Sequence, residues 1–156
     1  MKNTSLCYLE KDGCYLMLHR IRKKQDANQG KWIGVGGKFE EKESPEDCVL
    51  REVFEETGLH MDAVQYRGIV TFVSDEYETE YMHLFTSNAF HGTLHECDEG
   101  VLQWIPKTEI ANLTLWEGDR IFLRLLTQNL PFFSLKLCYQ KDTLIQAVLN
   151  GTPLLP

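Results

Sequence analysis

The sequence predicts an α/β fold. Strand-like apolar stretches lie near both ends of the 156-residue chain, a capped amphipathic helix lies between them, and a second amphipathic segment follows residue 116. A chain of this length suits one domain spanning 1–156, able to bury roughly 70% of the surface its unfolded form exposes. Hydrophobic residues make up 43% and charged residues 25%. Such a composition supports a core without a disulfide or a structural metal.

Residues 6–9 and 14–18 read as two strands around the turn Lys11-Asp12-Gly13. Residues 19–30 read as a polar loop, basic through Arg20, Arg22, Lys23 and Lys24. Residues 32–35 form a short strand, after which Gly34, Gly36 and Gly37 permit unusual backbone angles and close approach of a ligand. Residues 44–57 form the best-marked helix. Ser44 is a good N-cap, Pro45 occupies the first helical position, and Glu46 and Asp47 sit where the helix dipole favours negative charge. Gly58 suits the position just past its end. Val49, Leu50, Val53 and Phe54 recur at helical spacing and predict one buried stripe.

Residues 62–90 read as strands broken at Gly68 and at the acidic segment 74–80. An acidic loop, 96–100, precedes a strand at 101–105 that ends at Pro106. Residues 107–113 are a helix candidate, and 117–128 a stronger one, with Ile121, Phe122, Leu125 and Leu126 at helical spacing. Residues 132–139 are strand-like, and no element is predicted after Asp142.

The formal net charge of −7 makes polymeric nucleic acid a poor partner, since phosphate binding relies on Lys and Arg clusters. A free nucleotide is compatible with it, because divalent cations bridge phosphates to carboxylates. Five cysteines (Cys7, Cys14, Cys48, Cys97 and Cys138) without metal or redox spacing read as reduced thiols of a cytoplasmic protein. Residues 1–5 lack the apolar core of a signal peptide, and no apolar run approaches the ~20 residues that span a bilayer, so no membrane partner is expected.

The central helix has a second face. Glu52, Glu55 and Glu56 lie at i, i+3 and i+4, where their carboxylates can converge and repel one another. Taken alone, this is a solvated acidic surface. A bound hard cation such as Mg²⁺, which selects oxygen ligands and keeps phosphates in its shell, would reverse the repulsion.

The surrounding pattern favours the second reading. From Gly37 the chain reads GKFEEKESPEDCVLREVFEETGL. Glu43 stands six positions after Gly37, Arg51-Glu52 eight after Glu43, and Glu55-Glu56 and Gly58-Leu59 follow. This stretch resembles the Nudix box at every defined position, a coincidence expected on the order of once in 10⁹ sites on ordinary residue frequencies. The resemblance implies an α/β/α sandwich with a mixed β-sheet, in which a loop-helix-loop holds the metals. It implies Mg²⁺, with Mn²⁺ as a substitute, bound by Glu52, Glu55, Glu56 and the Gly36 carbonyl. It further implies that Arg51 orients a catalytic carboxylate and that Glu43 supports the box. By the same analogy Glu99, or its neighbours Glu96 and Asp98, reaches the metal site or helps to activate water. Glu56, Glu52 or Glu99 would then accept a proton from water attacking a phosphoanhydride.

Two further stretches resemble the MutT-type members that remove oxidised purine triphosphates. They are Gly30 to Lys38 (GKWIGVGGK) and Leu115-Trp116-Glu117-Gly118-Asp119. The likeness implies that Trp116 stacks on a base and Asp119 bonds its edge. Arg20, Lys23 and Lys38 are candidate phosphate contacts, with a solvated basic loop as the plainer reading of Arg20 and Lys23. The plain alternative for Trp116 is a core or rim aromatic. Ile33 stands where some of those relatives carry asparagine, and Gly118-Asp119 where some carry two acids. The expected activity is hydrolysis of 8-oxo-dGTP or a related purine triphosphate. Other members of the family act on ADP-ribose or dinucleoside polyphosphates, and a binding module without turnover is the reading from a different class.

Overall fold

The computed structural model describes residues 1–22 and 26–154, so Lys23 and Lys24 of the basic loop lie outside the described residues. Strand β1 (Lys2–Lys11) buries both of its faces. Leu6 and Tyr8 enter one apolar cluster, while Cys7 and Leu9 enter another on the opposite side. Such two-sided burial marks a central strand covered above and below.

The remaining strands are β2 (Cys14–His19), β3 (Trp32–Ile33), β4 (Val35–Lys38), β5 (Leu59–Ser74), β6 (Glu80–Gly92), β7 (Val101–Pro106), β8 (Phe133–Gln140), β9 (Thr143–Leu149) and β10 (Thr152–Pro153). They form one mixed sheet in the order β10-β9-β8-β5-β6-β1-β2-β3, with β4 beside β1 and β7 beside β2. The β1–β6 and β5–β8 pairs are parallel. Helix α1 (Pro45–Thr57) covers one face through Val49 and Val53, packed with Leu9, Leu16 and Phe85. Helix α2 (Glu117–Thr127) covers the other through Phe122, Leu125 and Leu126, packed with Tyr8, Leu135 and Leu137. The predicted α/β/α sandwich is therefore the observed architecture.

Several sequence expectations change in three dimensions. Leu50 and Phe54 are 41% and 44% exposed; the buried stripe of α1 is Cys48, Val49, Val53 and Thr57. The sheet lies on the side of the helix that includes the small Cys48, and Phe54 instead stacks on His60 at 4.3 Å. Gly34, Gly36 and Gly37 have no positive φ, so their use is close approach, not unusual angles. Gly68 does not end a strand: β5 passes through it at a register shift against β6. The segment at 107–113 is a 3₁₀ turn, Lys107–Asn112. The tail left without an element forms β9 and β10, because Thr143 to Leu149 finds the open edge of β8.

All five cysteines are free thiols: Cys7, Cys48 and Cys97 are buried, and Cys14 and Cys138 half-buried. Among the described residues, no helix is long and apolar enough to cross a membrane.

Candidate active site

The order of α1 begins at its ends. Ser44 Oγ accepts from the Asp47 N–H at 3.0 Å, and the Asp47 carboxylate accepts from the Ser44 N–H at 3.0 Å, closing a reciprocal capping box. Gly58, at φ 80°, ends the helix in the left-handed conformation that costs glycine least. With Cys48, Val49 and Val53 buried against the sheet, Glu52 and Glu56 are turned toward the glycines of β4. A Cβ built on Gly37 would stand 2.5 Å from the Glu52 carboxylate, so that carboxylate occupies space only glycine leaves open.

Glu52 and Glu56 line a cleft of about 530 Å³ together with Gly36, Gly37, Lys38, Arg20 and Glu99. Glu56 Oε2 is buried and has no hydrogen-bond partner among the described residues. Burial, the charge of Glu99 and the charge of Glu52 push the Glu56 carboxyl well above the usual range, with Arg20 opposing. Burial also raises Glu52, against the pull of Arg51. An orphaned buried carboxylate oxygen between two further carboxylates is costly without a cation. The donors are all oxygen, which suits a hard divalent ion such as Mg²⁺ or Mn²⁺. Among the described residues, no three acidic, His or Cys side chains stand close enough together to hold a metal ion by themselves, so the Gly36 carbonyl, water or substrate oxygens would have to complete its shell.

Arg51 does not line the cleft; it braces it. Its Nε and Nη2 donate to both oxygens of Glu43 at 2.7 and 2.8 Å, a bidentate pair. Its Nη1 donates to Glu52 at 2.8 Å and to Glu55 at 3.3 Å, and Nη2 also reaches the Lys38 carbonyl at 3.0 Å. The guanidinium holds the Glu43 carboxyl down at about 2. Of the three box glutamates, the structure brings Glu52 and Glu56 into the cleft. Glu55, 56% exposed, lies outside it against Arg51.

The loop carboxylate Glu99 accepts from Arg20 Nη1 at 2.8 Å, and Arg20 Nε donates to Asp26 at 2.7 Å. Glu96 and Asp98, its neighbours in sequence, are exposed. Arg20 is thus placed between two carboxylates at the cleft wall.

A second group lining the same cleft comprises Trp116, Asp119, Ile33, Tyr139, Thr4 and Glu80. Trp116, the N-cap of α2, is partly buried and packs against the core cluster while lining the cleft; Tyr139 meets it edge-on at 5.4 Å. Asp119 sits in the first turn of α2 and is only 4% exposed. Burial pushes its carboxyl up to about 8, with Glu80 adding and Lys31 opposing.

Sequence reasoning missed Thr4, Glu80, Asp26, Asn28 and Tyr139. The parallel register of β1 with β6 places Lys2 opposite Glu80, where Thr4 Oγ1 donates to the Glu80 carboxylate at 2.7 Å. No local motif encodes that juxtaposition.

Comparison with known proteins agrees with this geometry. Residues 2–126 match the NUDIX domain family. The chain is 34% identical over 124 residues to an uncharacterized Nudix hydrolase, YvcI, of Bacillus subtilis, covering 76% of this chain and 75% of that protein. It is 33% identical over 124 residues to the oxidized purine nucleoside triphosphate hydrolase of Mus musculus, covering 79% and 80%. The crystal structure of the MutT protein from Bacillus halodurans shares the fold, with a TM-score of 0.87 at 24% identity over 98% of this chain and 100% of that one. A box helix turned into a glycine-lined cleft, matched over four fifths of the chain by one family's pattern, settles the family: this chain belongs to the Nudix hydrolases.

Proposed function

We propose that the chain, acting as one domain, hydrolyses a phosphoanhydride bond in a purine nucleoside triphosphate, with 8-oxo-dGTP or a related oxidised purine nucleotide as substrate. The observation that carries this reading is one cleft with two chemically different groups of lining residues. One holds the unpaired Glu56 oxygen with Glu52 and Glu99, and the other holds Trp116 with the buried Asp119. The activity after which the mouse relative is named supports the same assignment.

Glu52, Glu56, Glu99 and the Gly36 carbonyl, which line the cleft, are the groups that would hold Mg²⁺ or Mn²⁺, and Glu55 would join them only on leaving Arg51. Such an ion neutralises polyphosphate charge and makes water more acidic. Trp116 stacks on the base, a contact type that contributes roughly 1–3 kcal/mol. Asp119 bonds the base edge; with its carboxyl pushed up to about 8, it keeps a proton to donate near neutrality. Lys38 and Arg20 draw the phosphates along the cleft. One of the cleft carboxylates, Glu56 with Glu52 and Glu99 as the other candidates, accepts the proton of the attacking water once ionised. The water oxygen bonds to phosphorus as a P–O–P link breaks, giving a nucleoside monophosphate and pyrophosphate. Arg51 holds Glu52 in place from behind, and Glu43 holds Arg51. A cytoplasmic setting fits a substrate drawn from the free nucleotide pool.

The test is a Mg²⁺-dependent hydrolysis assay on 8-oxo-dGTP, dGTP and ADP-ribose with products resolved. The expected result is the highest kcat/KM on 8-oxo-dGTP, with pyrophosphate released. Equal kcat/KM on dGTP overturns the preference for oxidised bases, and no turnover of any nucleotide overturns the enzyme reading.

A further inference from the structure

The two groups of cleft residues are joined by a run of hydrogen bonds through the loop at residues 26–31. The Trp116 indole N–H donates to Asn28 Oδ1 at 2.8 Å. The Asn28 backbone N–H donates to Asp26 Oδ1 at 3.1 Å, and Arg20 Nε donates to the other oxygen of the same carboxylate at 2.7 Å. Arg20 Nη1 then donates to Glu99 Oε2 at 2.8 Å. Trp116, Asn28, Asp26, Arg20 and Glu99 all line the cleft.

The loop is built to keep these links in register. Its neck is closed by backbone bonds from Arg20 N–H to Lys31 O at 2.9 Å and from Gly30 N–H to Arg20 O at 2.7 Å. Turns inside it run from Gln29 N–H to Asp26 O and from Lys31 N–H to Asn28 O, at 2.9 and 2.8 Å. Lys31 Nζ stands 4.5 Å from the centre of the Trp116 ring and caps one side of it. The tryptophan is therefore held by this loop at its N–H and on its ring. Both oxygens of the Asp26 carboxylate are committed, one to the Asn28 backbone N–H and one to Arg20 Nε. The Asn28 amide and the Arg20 guanidinium are thus held by one carboxylate.

We propose that Asn28 and Asp26 are positioning residues that couple stacking on Trp116 to the placement of Glu99, acting through Arg20. This rests on the reading that the cleft holds a purine nucleotide with Mg²⁺ at its carboxylates. A nucleotide whose base stacks on Trp116 fixes the indole, hence Asn28, Asp26 and Arg20, and so sets the carboxylate beside Glu56. A phosphate compound lacking the base leaves that chain unset. The base then contributes to kcat as well as to binding.

The coupling is tested by kinetics and by a readout independent of turnover. Asn28→Ala is expected to lower kcat on 8-oxo-dGTP roughly tenfold, with KM changed less than about twofold, in the range of measured coupling energies. Asn28→Asp, which keeps an acceptor for the indole, restores most of kcat. Trp116→Phe, which keeps a stacking ring and removes the N–H, lowers kcat as Asn28→Ala does. The double variant of Asn28→Ala and Asp26→Asn falls no further than the worse single one. In parallel, Mg²⁺ alone is titrated while the Trp116 indole N–H and the Gly37 amide are followed by NMR. Both resonances move in the wild-type chain, whereas only Gly37 moves in Asn28→Ala. A rise in KM with kcat unchanged, multiplicative losses in the double variant, or a Gly37 shift without an indole shift in the wild-type chain each overturns the coupling. If wild-type turnover is absent and neither resonance responds to Mg²⁺, the functional reading itself fails and takes the coupling with it.

Discussion

The Glu52 carboxylate lies over the Cα of Gly37, so close that a methyl group there would stand 2.5 Å from it. Arg51 Nη1 fixes the same carboxylate from the far side at 2.8 Å. Gly37→Ala therefore pushes a restrained side chain and leaves the strand backbone nearly alone. The expected outcome is a folded protein with little change in Tm and a kcat lower by about 10²-fold, the usual effect of a 1 Å misplacement in an active site. Circular dichroism melts and steady-state kinetics check it; unchanged kcat would separate Glu52 from the chemistry.

Glu56→Gln keeps the shape of the half-buried side chain and removes its ability to ionise. Turnover is expected to fall by about 10³-fold, within the range for loss of a general base, without loss of the folded state. Mg²⁺ raises the Tm of the wild-type chain by mass action, and the rise should shrink in the variant because a ligand has been neutralised. Thermal melts at increasing Mg²⁺ read this directly. Near-normal turnover removes Glu56 from the mechanism.

Asp119 gives stability a pH dependence of known sign. Its carboxyl has an ordinary value of 3.8 and is pushed up to about 8 in the folded chain. Between those values the folded state binds a proton that the unfolded state has released, so this group makes stability fall as pH rises from about 4 to about 8. Asp119→Asn cannot ionise and lacks that slope. Its Tm relative to wild type should be higher at pH 8.5 than at pH 5, measured without metal. A Tm difference that is flat across this range contradicts a protonated Asp119 in the folded state.

Ser44→Ala removes one half of the capping box and touches no residue that lines the cleft. The expected cost is about 1 kcal/mol, or a Tm lower by roughly 2–4 °C for a domain of this size, with kcat essentially unchanged. Chemical denaturation and the nucleotide assay together separate helix stability from catalysis. A large fall in kcat would show that helix fraying reaches Glu52 and Glu56.

Much of this site was legible in the sequence because its chemistry is local. Ser44, Pro45 and Gly58 set the limits of one helix, and a spacing of four residues puts Glu52 and Glu56 one turn apart. The same periodicity misjudged Leu50 and Phe54, since helical spacing defines a stripe and not the direction in which the sheet lies. It also grouped Glu55 with its neighbours, although Arg51 draws that side chain out of the cleft.

What the sequence by itself determined is the box: the glycine that leaves room, the capped helix and the carboxylates borne on it, because backbone propensities and helix periodicity act over a few residues. What only the tertiary structure decided is the rest of the cleft. Glu80 comes beside Thr4 through a parallel strand register, Asn28 meets Trp116 across 88 residues, and Arg20 reaches Glu99 across 79. Those pairings follow from how two cores on opposite faces of one sheet pack, and packing selects partners by shape and burial without regard to their distance along the chain.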